Sequence, residues 1–455
     1  MPPIKLLDAN PHYFEFRGRP TVLVASGEHY GAVLNQDFDL IAYLDTLAAC
    51  ELNLTRTFAG TYRERPGSFS IVGNTLAPRP GRFLSPWARV ATRDAEGERF
   101  DLTRWDEAYF RRLRHFVTEA DRRGVVVELV LFCFLYHDEL WGVCPMNAAC
   151  NVNGVGDFTD RHRAYAADDG PLLEVQRRLV RRLVTELNEF DNVYFEIINE
   201  PYSRHDGTAF LEWQRCMIDT IVETEAELPC RHLIARNVHN RTMWVADLHP
   251  HVSILNFHYA EPSAAIGTYH LGRPVADDET GFKGQACGPY RTEAWRFMLS
   301  GGAVVSHLDY SFTVERPDGT APIERESPSF GGPEMRRQLG ALKRFMDALP
   351  LSEMAPHDEV LKRFGSMPPG SAAGHVLASP GRVYAVYLTG GPRVTLSLGI
   401  PSGSYRLAWT RPTDGGIVRT ATVDHSGGWL RLESPLFADD IALRVDAVPP
   451  ARRSG

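Results

Sequence analysis

The strongest constraint on the fold is an alternation between short apolar runs and amphipathic stretches that continues from about residue 20 to residue 350. The amphipathic stretches, such as 38–50 and 105–122, repeat apolar residues at helical spacing. The apolar runs that predict strands are Thr21–Ala25, Leu52–Phe58, Val125–Phe132, Val193–Ile198, His232–Ala235, Ser253–Phe257, Pro274–Ala276 and Ala303–Leu308. Repeated strand–helix units of this kind are typical of a parallel barrel. The sequence therefore predicts an α/β fold, a (β/α)8 TIM barrel.

The pattern changes after about residue 350. Short alternating runs follow one another there, separated by Gly, Pro and Asp-Gly turns. These runs are His375–Ala378, Arg382–Leu388, Arg393–Leu398, Gly403–Thr410, Ile417–Val423, Trp429–Leu432 and Ile441–Val445. Such spacing is typical of an antiparallel β-sandwich. We therefore divide the chain into a barrel with an N-terminal extended segment, residues 1–350, and a C-terminal β-sandwich accessory domain, residues 351–455.

Composition and charge narrow the class of protein. The chain has 455 residues, of which 44% are hydrophobic, and its net charge is −8. A mildly acidic chain does not suggest a nucleic-acid partner, and without an apolar run of 18 residues no membrane span is expected. The N-terminus lacks the pattern of a signal peptide, so a cytoplasmic location is expected. Cys144 and Cys150 could pair in an oxidising compartment, but free thiols are expected for all seven cysteines.

The fourth predicted strand carries the most informative motif. It ends abruptly in Asn199-Glu200-Pro201, and strand alternation puts Glu200 on the same side as Glu196. Pro201 cannot continue the ladder, so Glu200 is expected at the carboxyl rim of the strand. A carboxyl group there, beside an amide, is placed to protonate the oxygen of a leaving group.

This motif resembles the acid/base signature of clan A glycoside hydrolases, especially the family 5-like cellulases and mannanases. The resemblance implies a retaining mechanism, in which a second Glu after the seventh strand is the nucleophile, and it implies no cofactor. Glu279 meets that demand at the end of the run that starts at Pro274, 79 residues after Glu200. Asp277 and Asp278 are its local competitors.

The resemblance also assigns roles to other residues at strand ends. Asn199 would bind the 2-hydroxyl of the sugar, and Arg56, which ends the second strand, would keep the nucleophile ionised. His258 and Tyr259, which end the sixth strand, would contact the nucleophile and the sugar. The substrate would be a small glycoside or oligosaccharide with β-type linkages.

Further residues are candidates for binding substrate because they follow predicted strands. These candidates are Glu28 and His29 after the first strand, Tyr136, His137 and Trp141 after the third, and His307, Asp309 and Tyr310 after the eighth. Trp244 is a weaker candidate of the same kind. Family 5 places a Trp after the eighth strand, so this chain is expected to be a divergent branch. The long connections at 59–100 and 136–165 follow strand carboxyl ends and could close one end of the cleft, which would favour an exo or short-substrate enzyme.

Two other classes of function remain open on the sequence. His239, His258 and Asp309 resemble the ligand positions of metal-dependent barrel hydrolases, although the first strand offers only His29 where that group needs His-x-His. The other alternative is a non-catalytic carbohydrate-binding protein, because a barrel can keep a site and lose its chemistry. The sequence leaves the identity of the sugar and the oligomeric state open.

Overall fold

The computed structural model describes residues 1–91, 98–167, 170–202, 208–238, 245, 247–325, 327–364 and 374–449. It confirms the predicted barrel, because eight parallel strands form one sheet, and helices lie between most successive strands and after the eighth. The barrel strands, called first to eighth below, are Leu23–Gly27, Leu54–Phe58, Val126–Cys133, Val193–Asn199, Ile234–Asn237, Ile254–His258, Val275–Thr280 and Val304–Leu308. Most of their residues are buried, as expected for strands covered on both faces.

The sheet runs from the first strand to the eighth, then back through the seventh, sixth, fifth, fourth and third to the second. The gap between the first and second strands is bridged by Asn53. Its backbone N–H donates to the Val24 carbonyl at 3.1 Å, and its side-chain oxygen accepts from the Val24 N–H at 2.9 Å. The carboxyl ends of all eight strands therefore meet at one rim.

The helices pack their apolar faces against this sheet. In Glu107–Arg122, the Asp106 carboxylate caps the first turn, and Tyr109, Leu113 and Phe116 are buried as the helical spacing predicts. The helices are α1 (Leu40–Ala49), α2 (Glu107–Arg122), α3 (Asp138–Trp141), α4 (Gly170–Leu187), α5 (Thr208–Ala226), α6 (Pro262–Thr268), α7 (Cys287–Leu299) and α8 (Pro333–Asp347). Among the described residues, none of them is long and apolar enough to cross a membrane.

The two long connections are structured. The one after the second strand contains a short 3-10 turn, Ser68–Ser70, and most of a hairpin, Trp87–Val90 with Arg99–Trp105. The one after the third strand contains α3 and two further 3-10 turns, Ala148–Cys150 and Arg161–Tyr165. Both connections start at the carboxyl rim and build walls above it.

The C-terminal region is the predicted antiparallel sandwich. A six-stranded sheet contains Ala355–Pro356, His375–Ser379, Val383–Thr389, Asp440–Ala447, Gly403–Thr410 and Ile417–His425. A three-stranded sheet contains Leu361–Phe364, Thr395–Ile400 and Gly428–Glu433. The strands at 355 and 361 were not predicted. At the other end of the chain, Lys5–Leu6, Phe14–Phe16 and Arg19–Thr21 form a small antiparallel sheet.

The sandwich packs against α7 of the barrel. Leu377, Ala385, Tyr387 and Ala442 from its larger sheet belong to the same apolar core as the barrel. The rings of Tyr387 and Trp295 stack at 5.5 Å. All seven cysteines are free thiols, as expected.

Candidate active site

A pocket of about 430 Å³ opens at the carboxyl rim of the barrel. Its apolar wall comes mainly from the connection after the second strand, and its polar groups come from strand ends. The lining residues are His29, Tyr30, Phe58, Glu64, Phe69, Ile71, Leu76, Cys133, Tyr136, Asn199, Glu200, Tyr259, Glu279, Phe282 and Leu308. Both carboxylates predicted to be catalytic are therefore in one pocket.

The two carboxylates lie close together. Glu200 follows directly after the fourth strand with a left-handed backbone (φ 49°), and Glu279 lies near the end of the seventh strand. An oxygen of Glu200, an oxygen of Glu279 and a ring nitrogen of His258 all lie within 4.8 Å of one another. That spacing is close to the ~5–5.5 Å at which a pair of carboxylates supports double displacement at a sugar.

Glu279 accepts hydrogen bonds on both oxygens. The Tyr259 hydroxyl donates to Oε1 at 2.5 Å, and the Tyr30 hydroxyl donates to Oε2 at 2.7 Å. Arg56 Nη1 also donates to Oε2, at 3.4 Å. Burial and the nearby Glu279 raise the pKa of both tyrosines well above 10, so both remain hydroxyl donors at ordinary pH.

Arg56 is the cation at the centre of the barrel. Its guanidinium donates to Glu196 at 2.5 Å and to the Asn199 side-chain oxygen at 2.7 Å, and it lies 3.3 Å from Asp278. Burial alone would lower the pKa of Arg56, but these carboxylates raise it well above the usual value. Arg56 therefore provides a fixed positive charge below Glu279.

Glu200 is held by three polar side chains. The hydroxyls of Tyr136 and Tyr202 donate to its carboxylate at 2.6 and 3.0 Å, and His258 Nδ1 lies 3.0 Å from Oε1. Asn199 donates to the Tyr136 hydroxyl at 2.8 Å, so Tyr136 links the amide to the carboxylate. These contacts fix the direction in which Glu200 presents its oxygens to the pocket.

A layer of buried acids lies below the pocket. Burial and the neighbouring Glu196 and Asp278 raise the pKa of Glu128 well above 4.5. Burial also raises the pKa of Glu196, to about 7, against the opposing effect of Arg56. Part of this layer therefore carries protons near neutral pH.

Six of the fourteen predicted site residues line the pocket, namely His29, Tyr136, Asn199, Glu200, Tyr259 and Glu279, and Tyr310 is not among the lining residues. Arg56, Asn199, His258 and Tyr259 contact a carboxylate or the residues around it, as described above. His29 lines the wall and forms an ion pair with Glu64 at 3.3 Å. The neighbouring Tyr310 ring lies 6.5 Å from the His29 ring, and its hydroxyl has no hydrogen-bond partner among the described residues.

Two predicted substrate contacts after the eighth strand lie behind the pocket wall. Asp309 is 1% exposed and is fully used by Arg336 at 2.6 Å, by Ser26 and by the backbone N–H groups of Ser311 and Gly332. His307 is also 1% exposed and faces Ser26, and burial lowers its pKa to about 4. The prediction that these two residues bind sugar hydroxyls is corrected, because both belong to a buried structural network.

Three other predicted contacts also lie outside the pocket. The Glu28 carboxylate is completely buried and accepts from the N–H groups of Gly31 and Ala32, so it shapes the turn after the first strand. Trp141 is buried against Phe158, to whose carbonyl it donates at 3.1 Å. His137 is exposed at the rim. Trp244 and His239 lie outside the described residues.

Sequence reasoning missed several lining residues, among them Tyr30, Glu64, Phe69 and Phe282. Tyr30 could have been predicted, because it directly follows the predicted residue His29 in the segment after the first strand. Glu64, Phe69 and Phe282 lie in irregular connections, where no periodic pattern indicates which side chain turns inward. The structure shows that Phe69 contacts Tyr136 edge-on at 5.2 Å and so joins the two long connections above the pocket.

Among the residues that the structure describes, two sets have the spacing of metal ligands, and they share one histidine. They are Glu196, His258 and Asp278, and Glu200, His258 and Glu279. Burial alone would lower the pKa of His258, but Asp278 and Glu279 raise it well above 6.5. A metal ligand must be a neutral imidazole, so this histidine suits hydrogen bonding to carboxylates better than a metal. Asp309, a ligand in the metal-dependent alternative, is used by Arg336 instead.

Comparison with known proteins supports the fold. No protein-family model matches the sequence, and no curated protein matches it. A glycoside hydrolase family 5 structure from Bacteroides vulgatus superposes with a TM-score of 0.66 at 13% identity, over 99% of this chain and 94% of that chain. A second structure, named only as a glycoside hydrolase, gives a TM-score of 0.65 at 12% identity, over 99% and 98% of the two chains. The resemblance to family 5 is therefore confirmed at the level of the fold, for the barrel and the sandwich together.

Proposed function

We propose that this protein is a retaining glycoside hydrolase that cleaves β-type glycosidic bonds, with Glu279 as nucleophile and Glu200 as acid/base. The observation that carries the proposal is the placement of these two carboxylates, within 4.8 Å of each other, in one pocket at the carboxyl rim. The fold shared with glycoside hydrolase structures supports it.

In the first step, a Glu279 oxygen attacks the anomeric carbon while the bond from that carbon to the leaving oxygen breaks. Protonated Glu200 gives its proton to the leaving oxygen. Tyr30, Tyr259 and Arg56 hold Glu279 in the orientation for attack through the contacts described above. A glycosyl–enzyme ester and a free alcohol or sugar result.

In the second step, Glu200 is a carboxylate and removes a proton from water. The water oxygen attacks the anomeric carbon, and the ester bond to Glu279 breaks. Glu200 regains its proton and Glu279 its charge. Two inversions at one carbon give a product with retained configuration, and no cofactor is needed.

The shape of the pocket supports a short or exo-acted substrate. Phe69, Ile71 and Leu76 from the connection after the second strand line one wall, and Phe69 reaches Tyr136 of the next connection. Aromatic faces suit the C–H side of a sugar ring, and the His29–Glu64 pair offers a donor and acceptors for its hydroxyls. We therefore propose a terminal sugar of an oligosaccharide or a simple glycoside as the group that enters.

The test is hydrolysis of a panel of aryl β-glycosides by wild type, Glu279→Gln and Glu200→Gln, with Glu261→Gln as a control outside the pocket. We expect both pocket variants to lose at least about 10³-fold in kcat, and the control to keep its activity. NMR of the first product from wild type should show the retained anomer. An inverted product would contradict Glu279 as nucleophile, and sugar binding without turnover in wild type would favour the carbohydrate-binding alternative.

A further inference from the structure

Asp278 is a buried carboxylate that the proposed chemistry leaves unused. It precedes Glu279 in the seventh strand and is 0% exposed. Its Oδ2 accepts from the Asn256 side chain at 2.8 Å and lies 3.3 Å from Arg56 Nε. Its Oδ1 lies 3.4 Å from His258 Nε2. Burying a carboxylate costs free energy unless an opposite charge lies beside it. Arg56 and His258 are the two cationic side chains beside Asp278.

The two cations that Asp278 contacts are the ones that contact the two carboxylates of the pocket. Arg56 reaches Glu279 at 3.4 Å, and His258 reaches Glu200 at 3.0 Å. Outside the pocket, Asp278 is the only described carboxylate within 4.0 Å of both cations. Asp278 therefore contacts both Arg56, which contacts the nucleophile Glu279, and His258, which contacts the acid/base Glu200.

The contact with His258 determines which ring nitrogen carries a proton. Neither His258 Nε2 nor Asp278 Oδ1 has a hydrogen-bond partner elsewhere among the described residues. A carboxylate only accepts, so the Nε2 that faces it carries hydrogen. His258 Nδ1 and Glu200 Oε1 then have one proton between them. The pair is either imidazolium with carboxylate or neutral imidazole with carboxylic acid.

Other charged groups surround this unit and act on it. His258 also faces Glu279 at 3.8 Å, and Glu196 lies within 4.8 Å of it. Below Asp278, Glu128 and Glu196 share Arg56, and burial raises the pKa of both acids, so they hold protons to higher pH than free carboxyl groups. Asp278 is the group in this layer that faces the far side of the imidazole.

We propose that Asp278 is a positioning residue that keeps the shared proton on the His258–Glu200 pair and aligns Arg56 under Glu279. The negative charge of Asp278 favours the protonated pair. In wild type, the proton that Glu200 donates to the leaving group is therefore retained to higher pH than Glu200 alone would hold it. This inference rests on the proposed function.

The experiment compares Asp278→Asn with Asp277→Asn, a matched control. Asp277 is the neighbouring buried carboxylate, but it accepts from the Ala260 N–H and contacts neither His258 nor Arg56. We expect Asp278→Asn to move the alkaline limb of the kcat/KM profile down by about one pH unit. The control should leave that limb in place.

The leaving group provides a readout that a purely structural role would not change. Dinitrophenolate is stable enough to leave without receiving a proton, whereas the alkyl alcohol leaves only when Glu200 protonates its oxygen. Asp278→Asn should therefore lose at least about tenfold more kcat on the alkyl glycoside than on the dinitrophenyl glycoside. Equal losses on both, or an unmoved alkaline limb, would overturn the proposal.

A second variant covers the case in which Asp278→Asn does not fold. Asn256→Ala keeps the charge of Asp278 and removes the hydrogen bonds that the Asn256 side chain donates to Asp278 at 2.8 Å and to Glu128 at 2.6 Å. Because Asp278 loses a contact that orients it, we expect a smaller shift of the alkaline limb in the same direction. No shift in a folded Asn256→Ala protein would also overturn the proposal. Failure of the proposed function is distinguishable, because wild type would then hydrolyse none of the glycosides.

Discussion

Three residues of the site share an uncommon backbone conformation: the acid/base Glu200 and the two tyrosines that donate to Glu279. Tyr30, Glu200 and Tyr259 have φ values of 57°, 49° and 55°, and each lies just beyond the end of a barrel strand. A left-handed conformation costs a non-glycine residue roughly 1 kcal/mol or more, and such strain concentrates at functional sites. Here it turns the chain sharply, so that side chains from different strands converge on one point.

Replacing Tyr30 by Phe tests this convergence at the residue with the least sequence signal. The change removes the hydroxyl that donates to Glu279 Oε2 at 2.7 Å and keeps the buried ring. We expect kcat to fall about 10- to 150-fold, because a lost hydrogen bond to a charged group costs about 1.5–3 kcal/mol. Tyr13→Phe is the control, since the Tyr13 hydroxyl is buried without a partner among the described residues. Equal activity of both variants would contradict the role of Tyr30.

Residues at strand ends could be predicted where the alternating or apolar pattern of the strand continues up to them. Asn199 and Glu200 follow from where an apolar run stops, because the ends of parallel strands share one rim. Glu279 followed only from the family resemblance, which requires a second Glu after the seventh strand. The same logic overreached at His307 and Asp309. Side chains at the end of one strand can point into the pocket or away from it. Asp309 points away from the pocket because it pairs with Arg336, which lies in α8.

Among the elements, the connection after the second strand decides the shape of the site. Its length was visible in the sequence, but its fold was not, because no periodicity marks Glu64 or Phe69. Phe69 is 38% exposed, has a left-handed φ of 54° and contacts Tyr136 across the pocket. A large aromatic residue held in this conformation at a rim closes space that an open cleft would leave for further sugar units.

Phe69→Ala should therefore open the site. We expect kcat/KM on a long oligosaccharide, relative to an aryl monoglycoside, to rise at least about threefold. Val72→Ala is the control, because Val72 is 57% exposed on the same connection and does not line the pocket. Product analysis of the oligosaccharide digests measures the effect, and an unchanged ratio in Phe69→Ala would argue against closure by this ring.

The fourth strand, which precedes the acid/base Glu200, also contains Glu196, a buried acid whose ionisation lowers the stability of the fold. Glu196 points into the barrel with a folded pKa of about 7, raised first by burial from an ordinary value of 4.5. For a raised pKa, the stabilising contribution is complete below 4.5 and is lost as pH rises through 7. Ionisation of Glu196 should therefore lower the free energy of unfolding between pH 5 and pH 8, by about 3 kcal/mol at most.

Urea unfolding of Glu196→Gln at several pH values checks this sign. The stability of the variant relative to wild type should improve as pH rises from 5 to 8, because the variant has no charge to bury. Glu189→Gln is the control, since the Glu189 side chain is 65% exposed. A stability difference between Glu196→Gln and wild type that stays constant with pH would show that Glu196 does not titrate in this range.

At the scale of the whole molecule, the predicted division into barrel and sandwich follows from hydrophobic period alone. Strands at 23, 54, 126 and 193 appear where apolar runs predict them, because burial on both faces leaves a continuous apolar signal. The strands at 355 and 361 were missed, since they contain only Ala355–Pro356 and Leu361–Phe364 and pair with strands farther along the chain. No local pattern reports such pairing.

The contact between barrel and sandwich could not be predicted from either part. Asp440 of the sandwich accepts from Arg291 of α7 at 2.8 Å and from the Tyr387 hydroxyl at 2.7 Å, and the Arg291 and Asp440 side chains are 4% and 3% exposed. Removing one partner of such a buried pair leaves a charge without compensation, which typically costs 3–5 kcal/mol. The two parts should therefore unfold together, and their joint stability should depend on this pair.

Asp440→Ala tests that dependence against a neighbour with the same charge. We expect the free energy of urea unfolding to fall by about 3 kcal/mol for Asp440→Ala. For Asp439→Ala we expect less than about 1 kcal/mol, because the Asp439 side chain faces Arg291 at 3.5 Å but is 75% exposed. Tryptophan fluorescence, which includes Trp295 at the contact, and circular dichroism should report one common transition in wild type. Separate transitions for the two signals, or equal losses in the two variants, would mean that the sandwich stabilises the barrel by another route.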